Sequence, residues 1–163
     1  MKWVVIGAHR QREDVEPIAN VIPIGDLFLS AVAIEDDRLA TAGVTHANTR
    51  DWADFVKRYN EIVAETRTGR VDAMNAPVVI SSLGAFGVRT GAPIVVPPSV
   101  ATLFVGSAHY ETISDGKRSQ PEEVITLSLT FDHRVVNGAG AANFVRDIKE
   151  LIENFAIPKL VSK

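Results

Sequence analysis

A histidine with polar neighbours at the end of a strand-like segment is the first candidate for chemistry. His133 follows the alternating, β-branched run EVITLSLTF, lies between Asp132 and Arg134, and precedes Asn137, Gly138 and a helical segment. Loops after strands commonly carry catalytic groups, and an imidazole with a reference pKa of about 6.5 can accept a proton near neutral pH. A histidine in this place can also cap the helix or bond a buried carbonyl. The residue types alone leave both interpretations open.

A serine hydroxyl is the second candidate. Ser81 lies in VVISSLGAFGV, where a predicted strand enters a glycine-bearing loop, 52 positions before His133. A hydroxyl beside a reacting carbonyl can stabilise an oxyanion, whereas a serine at a strand end commonly bonds neighbouring backbone instead. The surrounding residues do not form a nucleophile elbow, so we expect no acyl-serine intermediate.

The other reactive residue types narrow the chemistry. His9, His46 and His109 have no second ligand at a metal-like spacing, so we interpret them as surface or packing residues and expect no metal. The 163 residues include no cysteine, which removes disulfides, thiolate metal sites and a cysteine nucleophile. We find no phosphate loop and no GxGxxG fingerprint in the sequence.

The elements that must position these residues follow from periodicity. Strands are predicted over residues 2–6, 28–34, 39–45, 77–83, 100–105 and 123–131, with a helical turn over 12–20, a turn at 35–37 and a hairpin at 115–116. One amphipathic helix is predicted over 49–68, capped by Asn48 or Thr49 and ended by Gly69, and a second over 140–155. Asp132 and Arg134 are expected on opposite sides of an extended segment. The irregular alternation of elements argues against a doubly wound parallel sheet.

Composition and charge indicate an ordinary globular domain. Hydrophobic residues are 46% and charged residues 23% of the chain, which predicts one domain over residues 1–163. A net charge of −3 with scattered basic residues gives no basis for nucleic-acid or membrane-surface binding. No apolar segment approaches the length of about 20 residues that a membrane span needs, and we expect a cytoplasmic protein.

Two motifs carry a family resemblance. DHRVVNGAGAANF resembles the signature of the dihydrolipoamide acyltransferases of 2-oxo-acid dehydrogenase complexes, in which an acidic or amide residue and a glycine follow the histidine. VVISSLGAFGV with PIVVPPSVATLFVGS resembles a second block of that family, in the right order and at its spacing. A weaker likeness begins at FLSAVAIEDDRLATAGV, and together the resemblance covers roughly residues 28–155.

The resemblance implies both a fold and an activity. The expected fold is the chloramphenicol acetyltransferase-like α/β sandwich, two layers with a mixed sheet and two main amphipathic helices. The family moves an acyl group between a dihydrolipoyl thiol carrier and coenzyme A, which would be a substrate here. By resemblance His133 is the general base, Ser81 the oxyanion donor, and Asn137 an orienting residue. The family's active site lies between subunits of a trimer, so a homotrimer is expected.

The sequence also departs from the family pattern. Residues 1–25 do not resemble the family's opening segment, so the domain is expected to be shortened at its N-terminus, and Ala42 lies near a position where the family has proline. No segment resembles a lipoyl domain or a peripheral-subunit-binding domain. We therefore expect no covalent lipoyl group on this chain, and a lipoyl-domain protein or other complex subunits as possible partners. Three functions stay open: an acyltransferase, a non-catalytic trimeric scaffold, and one half of a split acyltransferase.

Overall fold

A computed structural model of the chain describes residues 2–10, 28–33, 39–68, 76–114 and 119–154. The helical turn expected over 12–20, the turn over 35–37 and the helix end at Gly69 lie outside these residues. Within them no helix is long and apolar enough to cross a membrane.

Seven strands and two long helices make up the described part. In chain order they are β1 (Lys2–Arg10), β2 (Phe28–Ala33), β3 (Leu39–Val44), α1 (Trp52–Arg67), β4 (Val78–Ser82), β5 (Ala101–Val105), β6 (His109–Ser114), β7 (Ser119–Phe131) and α2 (Gly138–Glu153). Two short 3-10 helices, Ala47–Thr49 and Gly84–Phe86, lie in the connections. The segment 93–96 joins no strand.

The strands form one mixed sheet in the order β1-β7-β5-β4-β2-β3, and β6 also pairs with β7. β4 runs parallel to β2 and to β5, and β7 runs antiparallel to β5 and parallel to β1. Because parallel and antiparallel pairs occur in the same sheet, the prediction against a doubly wound parallel fold is confirmed.

Both helices cover the same side of the sheet. α2 packs on β1 and β7, with Val136, Ala141 and Val145 against the strand residues Leu129 and Phe131. α1 packs on β3 and β2 at the other end of the sheet, where Val44 and Ile62 form a second cluster. By the strand register and the alternation of side chains, Val44 lies on the same face of the sheet as Ile80. Ile80 packs against the core cluster beneath α2. The result is a two-layer arrangement of a sheet and two helices.

The helix predicted over 49–68 begins later than its predicted cap. Asp51 is the N-cap, and its carboxylate accepts the backbone N–H of Asp54 at 2.8 Å. Thr49 instead ends the short 3-10 helix, so the prediction of a cap at Asn48 or Thr49 was wrong. Aspartate suits the cap because its carboxylate accepts an orphan N–H and meets the positive end of the helix dipole.

The predicted hairpin at 115–116 is confirmed by the pairing of the strands on either side. β6 and β7 run antiparallel from His109↔Val124 to Ser114↔Ser119, and the four connecting residues lie outside the described part. β5 and β6 pair in succession with β7, separated by the irregular residues 106–108. β7 is therefore 13 residues long and starts four residues before the predicted strand.

Candidate active site

The turn after β7 holds His133 through the backbone of Asp132. The Asp132 N–H donates to the Val100 carbonyl at 2.8 Å, and the Asp132 carbonyl accepts the N–H groups of Val135 and Val136, each at 3.0 Å. These bonds tie the turn to the start of β5 and close it before α2. His133 is thus carried on a short turn that is hydrogen-bonded through Asp132 and lies between the buried end of β7 and the start of α2.

The His133 ring is held by packing. Its centroid lies 5.7 Å from that of Phe131, with the two planes tilted by 35°. Phe131 is only 2% exposed and belongs to the main core, so it offers a fixed surface for the half-buried imidazole. Within the described residues neither ring nitrogen of His133 makes a hydrogen bond. An imidazole in this state has both nitrogens available to a ligand.

Asn137, and not His133, caps the helix that follows. The Asn137 side-chain oxygen accepts the Gly140 N–H at 2.7 Å, and Asn137 is the N-cap of α2. The interpretation of His133 as a cap is therefore wrong. The structure brings His133 and Asn137 together at the start of α2, with the carbonyl group of the Asn137 amide already engaged by the helix backbone.

Asp132 and Arg134 pair with each other across His133. The Asp132 carboxylate accepts the Arg134 N–H at 3.0 Å and the guanidinium Nε at 2.9 Å and 3.0 Å, and it also accepts Nη2. The expectation that these side chains point to opposite sides was wrong. Residues two apart share a side of an extended segment, and a tight turn brings them closer still.

The two serines at the end of β4 divide their roles. The Ser82 hydroxyl donates to the Val105 carbonyl at 2.9 Å and accepts the Gly84 N–H at 3.2 Å. This is the backbone bonding that a serine at a strand end commonly makes, and it falls on Ser82. Ser81 is half-buried, points to the opposite face of the sheet, and its hydroxyl makes no hydrogen bond within the described part of the chain.

The loop after Ser82 is fixed to the irregular residues between β5 and β6. The Ser107 N–H donates to the Val88 carbonyl at 2.8 Å. A Cβ placed on Gly106 would lie 2.0 Å from the Arg89 carbonyl oxygen, so this approach requires a glycine. Sequence reasoning missed both Ser82 and Gly106 as supports, although the repeated serine and the V-G-S step were visible signals.

Ser81 and His133 do not meet within one chain. Across the sheet Ser81 is in register with Phe104, which is in register with Ser128, and His133 lies five residues beyond Ser128 toward the other end of β7. At about 3.3 Å per residue and about 4.8 Å per strand, the two positions are roughly 15–20 Å apart. A single thioester cannot contact both side chains in one copy of the chain.

The face that carries Ser81 is rich in hydroxyl groups. Thr102 and Thr130 form a cross-strand pair on it, and Ser128 lies further along β7. The Thr102 hydroxyl donates to the Ile94 carbonyl at 3.0 Å, whereas the buried hydroxyls of Ser128 and Thr130 have no hydrogen-bond partner among the described residues. The alternating S-L-T pattern in LSLTF was the sequence signal for this face.

The remaining described histidines have structural surroundings. His109 is buried, and its ring nitrogens lie 3.0 Å from the Ser107 carbonyl and 3.0 Å from a Glu111 carboxylate oxygen. His46 is exposed and precedes the first 3-10 helix with a left-handed backbone. Among the residues that the structure describes, no three histidine, aspartate or glutamate side chains cluster as metal ligands.

The two-layer arrangement of this chain, with His133 in the turn before α2, is that of the chloramphenicol acetyltransferase-like acyltransferase folds. Residues 28–158 match the family model described as the catalytic domain of the 2-oxoacid dehydrogenase acyltransferases. The chain therefore belongs to this family, and the predicted fold class is confirmed.

Curated relatives carry the same family's names. The chain is 42% identical over 119 residues to the dihydrolipoyllysine-residue acetyltransferase component of the pyruvate dehydrogenase complex of Azotobacter vinelandii, covering 71% of the chain and 19% of that protein. It is 32% identical over 126 residues to the corresponding component of the acetoin cleaving system of Bacillus subtilis, covering 76% of the chain and 31% of that protein. The chain thus spans less than a third of the length of either relative.

A solved structure of the same family superposes closely. The dihydrolipoamide acetyltransferase of Azotobacter vinelandii, crystallised to investigate the roles of one serine, one histidine and one asparagine in catalysis, gives a TM-score of 0.73 at 30% identity. The match covers 78% of this chain and 54% of that one. The cubic core of a pyruvate dehydrogenase complex gives the same TM-score at 31% identity.

Proposed function

We propose that the chain is an acyltransferase that moves an acyl group between coenzyme A and a dihydrolipoyl-type thiol, with His133 as the general base. The observation that carries the proposal is the His133 turn. The backbone of Asp132 anchors the turn, the side chains of Asp132 and Asn137 bond other groups, and the imidazole nitrogens have no hydrogen-bond partner in the described structure. This is what a base needs, because a nitrogen used in a structural bond cannot accept a thiol proton.

The proposed step is a proton-balanced thiol exchange. An imidazole nitrogen of His133 takes the proton from the attacking thiol, and the sulfur forms a bond to the thioester carbonyl carbon. The carbonyl oxygen becomes an oxyanion, to which the Ser81 hydroxyl donates a hydrogen bond. When the intermediate collapses, the bond to the leaving sulfur breaks and the imidazolium returns its proton to that sulfur. Asn137 holds the turn at the helix start by capping α2.

We propose that the working site is shared between two copies of the chain in a homotrimer. The estimated separation of 15–20 Å within one chain supports this, because Ser81 and His133 can act on one carbonyl only if they come from different copies. The likeness to a protein that forms a cubic multienzyme core supports assembly into oligomers. Exposed apolar side chains at Phe86 and Ile94, on the loops beyond Ser81, suit burial in such an interface.

The spacing of the proposed residues supports their roles. In the Azotobacter vinelandii enzyme the serine, histidine and asparagine studied for catalysis are separated by 52 and 4 positions. Ser81, His133 and Asn137 have the same separations of 52 and 4. The proposed acyl carrier is a lipoyl group on a domain outside these 163 residues, brought to the site by another component of a 2-oxo-acid dehydrogenase complex.

The test is acyl transfer from short acyl-coenzyme A to dihydrolipoamide. Wild-type protein should catalyse it, with a rate that rises with pH because only a neutral imidazole accepts a proton. His133→Ala should abolish transfer while the fold, followed by circular dichroism, and the trimer, followed by sedimentation, remain. If wild type transfers no short acyl group and binds no coenzyme A in calorimetry, the scaffold function replaces this proposal. If His133→Ala retains turnover, the assigned base is wrong.

A further inference from the structure

The segment 131–134 contains an aromatic contact and an ion pair. The rings of Phe131 and His133 contact each other, with 5.7 Å between their centroids. The intervening Asp132 and the following Arg134 make a multidentate ion pair. Both contacts join side chains two residues apart, so the ion pair and the aromatic contact fix the same short stretch of backbone.

Asp132 and Arg134 form an ion pair that is favourable in both charge and geometry. Its carboxylate accepts the Arg134 backbone N–H as well as two guanidinium nitrogens, and its side chain is 18% exposed against 43% for that of Arg134. A guanidinium that meets a carboxylate with more than one N–H gives a stronger and more directional pair than a single contact. Although Asp132 adjoins His133 in the chain, its carboxylate makes no hydrogen bond to the imidazole.

We propose that the Asp132–Arg134 ion pair is a positioning device for His133, which keeps the imidazole against Phe131 and keeps the Asp132 carboxylate away from it. The inference rests on the proposed function, in which His133 is the base. A carboxylate close to an imidazole favours the protonated ring, and a protonated ring cannot take a proton from a thiol. Arg134 prevents this by holding the carboxylate in the ion pair, where it makes no hydrogen bond to the imidazole.

Asp132 is the acidic residue closest to His133 in the sequence of the turn. Asp132 is the one acidic residue in the stretch 132–137, and the first turn of α2 contains no acidic residue. Val100, to which the turn is bonded at the start of β5, is uncharged.

The experiment measures turnover against pH in trimeric protein carrying Arg134→Gln. This change removes the guanidinium and keeps a side chain of similar reach. Without the guanidinium, the neighbouring Asp132 carboxylate should raise the pH of half-maximal turnover by about one unit, so turnover near neutral pH falls about ten-fold while the plateau at high pH changes little. The KM for coenzyme A should stay unchanged. Arg134→Lys keeps the positive charge and should leave the pH profile near that of wild type.

The double variant Asp132→Asn with Arg134→Gln is the decisive control. It lacks both charges, so its pH profile should return to the wild-type position even if its stability does not. If Arg134→Gln lowers stability and leaves the pH profile unmoved, the pair only supports the fold and the inference is overturned. The same holds if the double variant stays shifted, because the carboxylate would then not be the cause.

An NMR titration of the His133 ring separates this inference from the proposed function. The titration midpoint in Arg134→Gln should move upward from wild type, and in the double variant it should return. This readout does not require turnover. If the midpoint moves but wild-type protein is inactive, the positioning role of the ion pair stands and the acyltransferase proposal fails. If the midpoint does not move but wild-type protein is active, the acyltransferase proposal stands and the positioning role fails.

Discussion

The two adjacent serines at the end of β4 make different contacts, because successive side chains of a strand lie on opposite faces of the sheet. Ser82 bonds the Val105 carbonyl and the Gly84 N–H, which holds the strand end and the loop beyond it. Ser81 faces the other way and keeps its hydroxyl available within the described structure. The same residue type therefore serves the fold at one position and, in the proposed mechanism, the reaction at the next.

Alanine substitutions should separate these two serines. Ser81→Ala should lower kcat by about 10²–10³ with little change in KM, because an oxyanion donor acts mainly in the transition state. Its urea unfolding should match wild type. Ser82→Ala should lower the free energy of unfolding by about 1 kcal/mol, because it removes two hydrogen bonds at an exposed strand end. Equal effects of the two changes on kcat would contradict the assignment.

The cross-strand pair Thr102 and Thr130 offers a matched test of buried hydroxyls. The Thr102 hydroxyl donates to the Ile94 carbonyl, and the Thr130 hydroxyl has no partner in the described part of the chain. Thr130→Val should leave unfolding unchanged or raise its free energy by about 1 kcal/mol, since it removes an unsatisfied polar group, whereas Thr102→Val should lower it by about the same amount. Urea titrations at one protein concentration check both. A loss of stability in Thr130→Val would mean that this hydroxyl has a partner in solution.

Residue types in the sequence identified the reactive candidates but not their hydrogen bonds. The alternatives for His133 were separated only when Asn137 proved to be the cap. The alternatives for Ser81 were separated because Ser82 makes the backbone contacts. Both outcomes depend on where neighbouring side chains point, and for adjacent polar residues this is set by tertiary packing that the sequence does not display.

At the scale of elements, the cap of α2 links the family motif to helix stability. Asn137→Ala should lower the free energy of unfolding by about 1 kcal/mol, because the Gly140 N–H loses its acceptor. Its effect on turnover should be milder than that of His133→Ala. Asp51→Ala removes the equivalent cap of α1 and should cost a similar amount with no change in kcat. Similar losses of activity in both variants would argue against a local role for Asn137.

Two glycines on different elements give opposite predictions. Gly106→Ala would place a Cβ 2.0 Å from the Arg89 carbonyl oxygen, so the loop beyond Ser81 must shift and turnover as well as stability should fall. Gly138→Ala, at the first position of α2, meets open space and should be neutral or mildly stabilising. Thermal unfolding and the transfer assay report both changes. Wild-type behaviour of Gly106→Ala would show that the loop does not depend on this close approach.

Periodicity predicted the elements better than their ends. The apolar stripes of both helices and the alternation in β7 located these elements, because burial of one face imposes a period that the sequence must carry. The cap of α1 was misplaced, since several polar residues near position 50 can accept an N–H and only the path of the chain selects Asp51. The start of β7 was missed because its first residues pair only with β6 in an exposed hairpin.

At the scale of the whole molecule, strand order decides which residues can act together. β4 and β7 are separated by β5, and β7 runs antiparallel to both β4 and β5, which sends His133 to the opposite end of the sheet from Ser81. The spacing of 52 positions gives no information about this separation. The sequence could predict the mixed sheet and both proposed residues, but only the register shows that one copy of the chain does not unite them.

A mixing experiment tests the shared site at this scale. Ser81→Ala and His133→Ala, each nearly inactive alone, should regain activity when co-expressed and assembled together. A site that takes His133 from one copy and Ser81 from another is intact only where a Ser81→Ala chain supplies the histidine and a His133→Ala chain the serine. In a symmetric ring of three such sites, every trimer that contains both variants has one intact site, so about a third of the sites in the mixed trimers should be intact. Transfer activity of the mixed trimers, purified through a different affinity tag on each chain, checks this fraction.

Activity no higher than the sum of the two separate variants would mean that the site is not shared in this way. Sedimentation as a monomer would exclude the trimer on which the shared site depends.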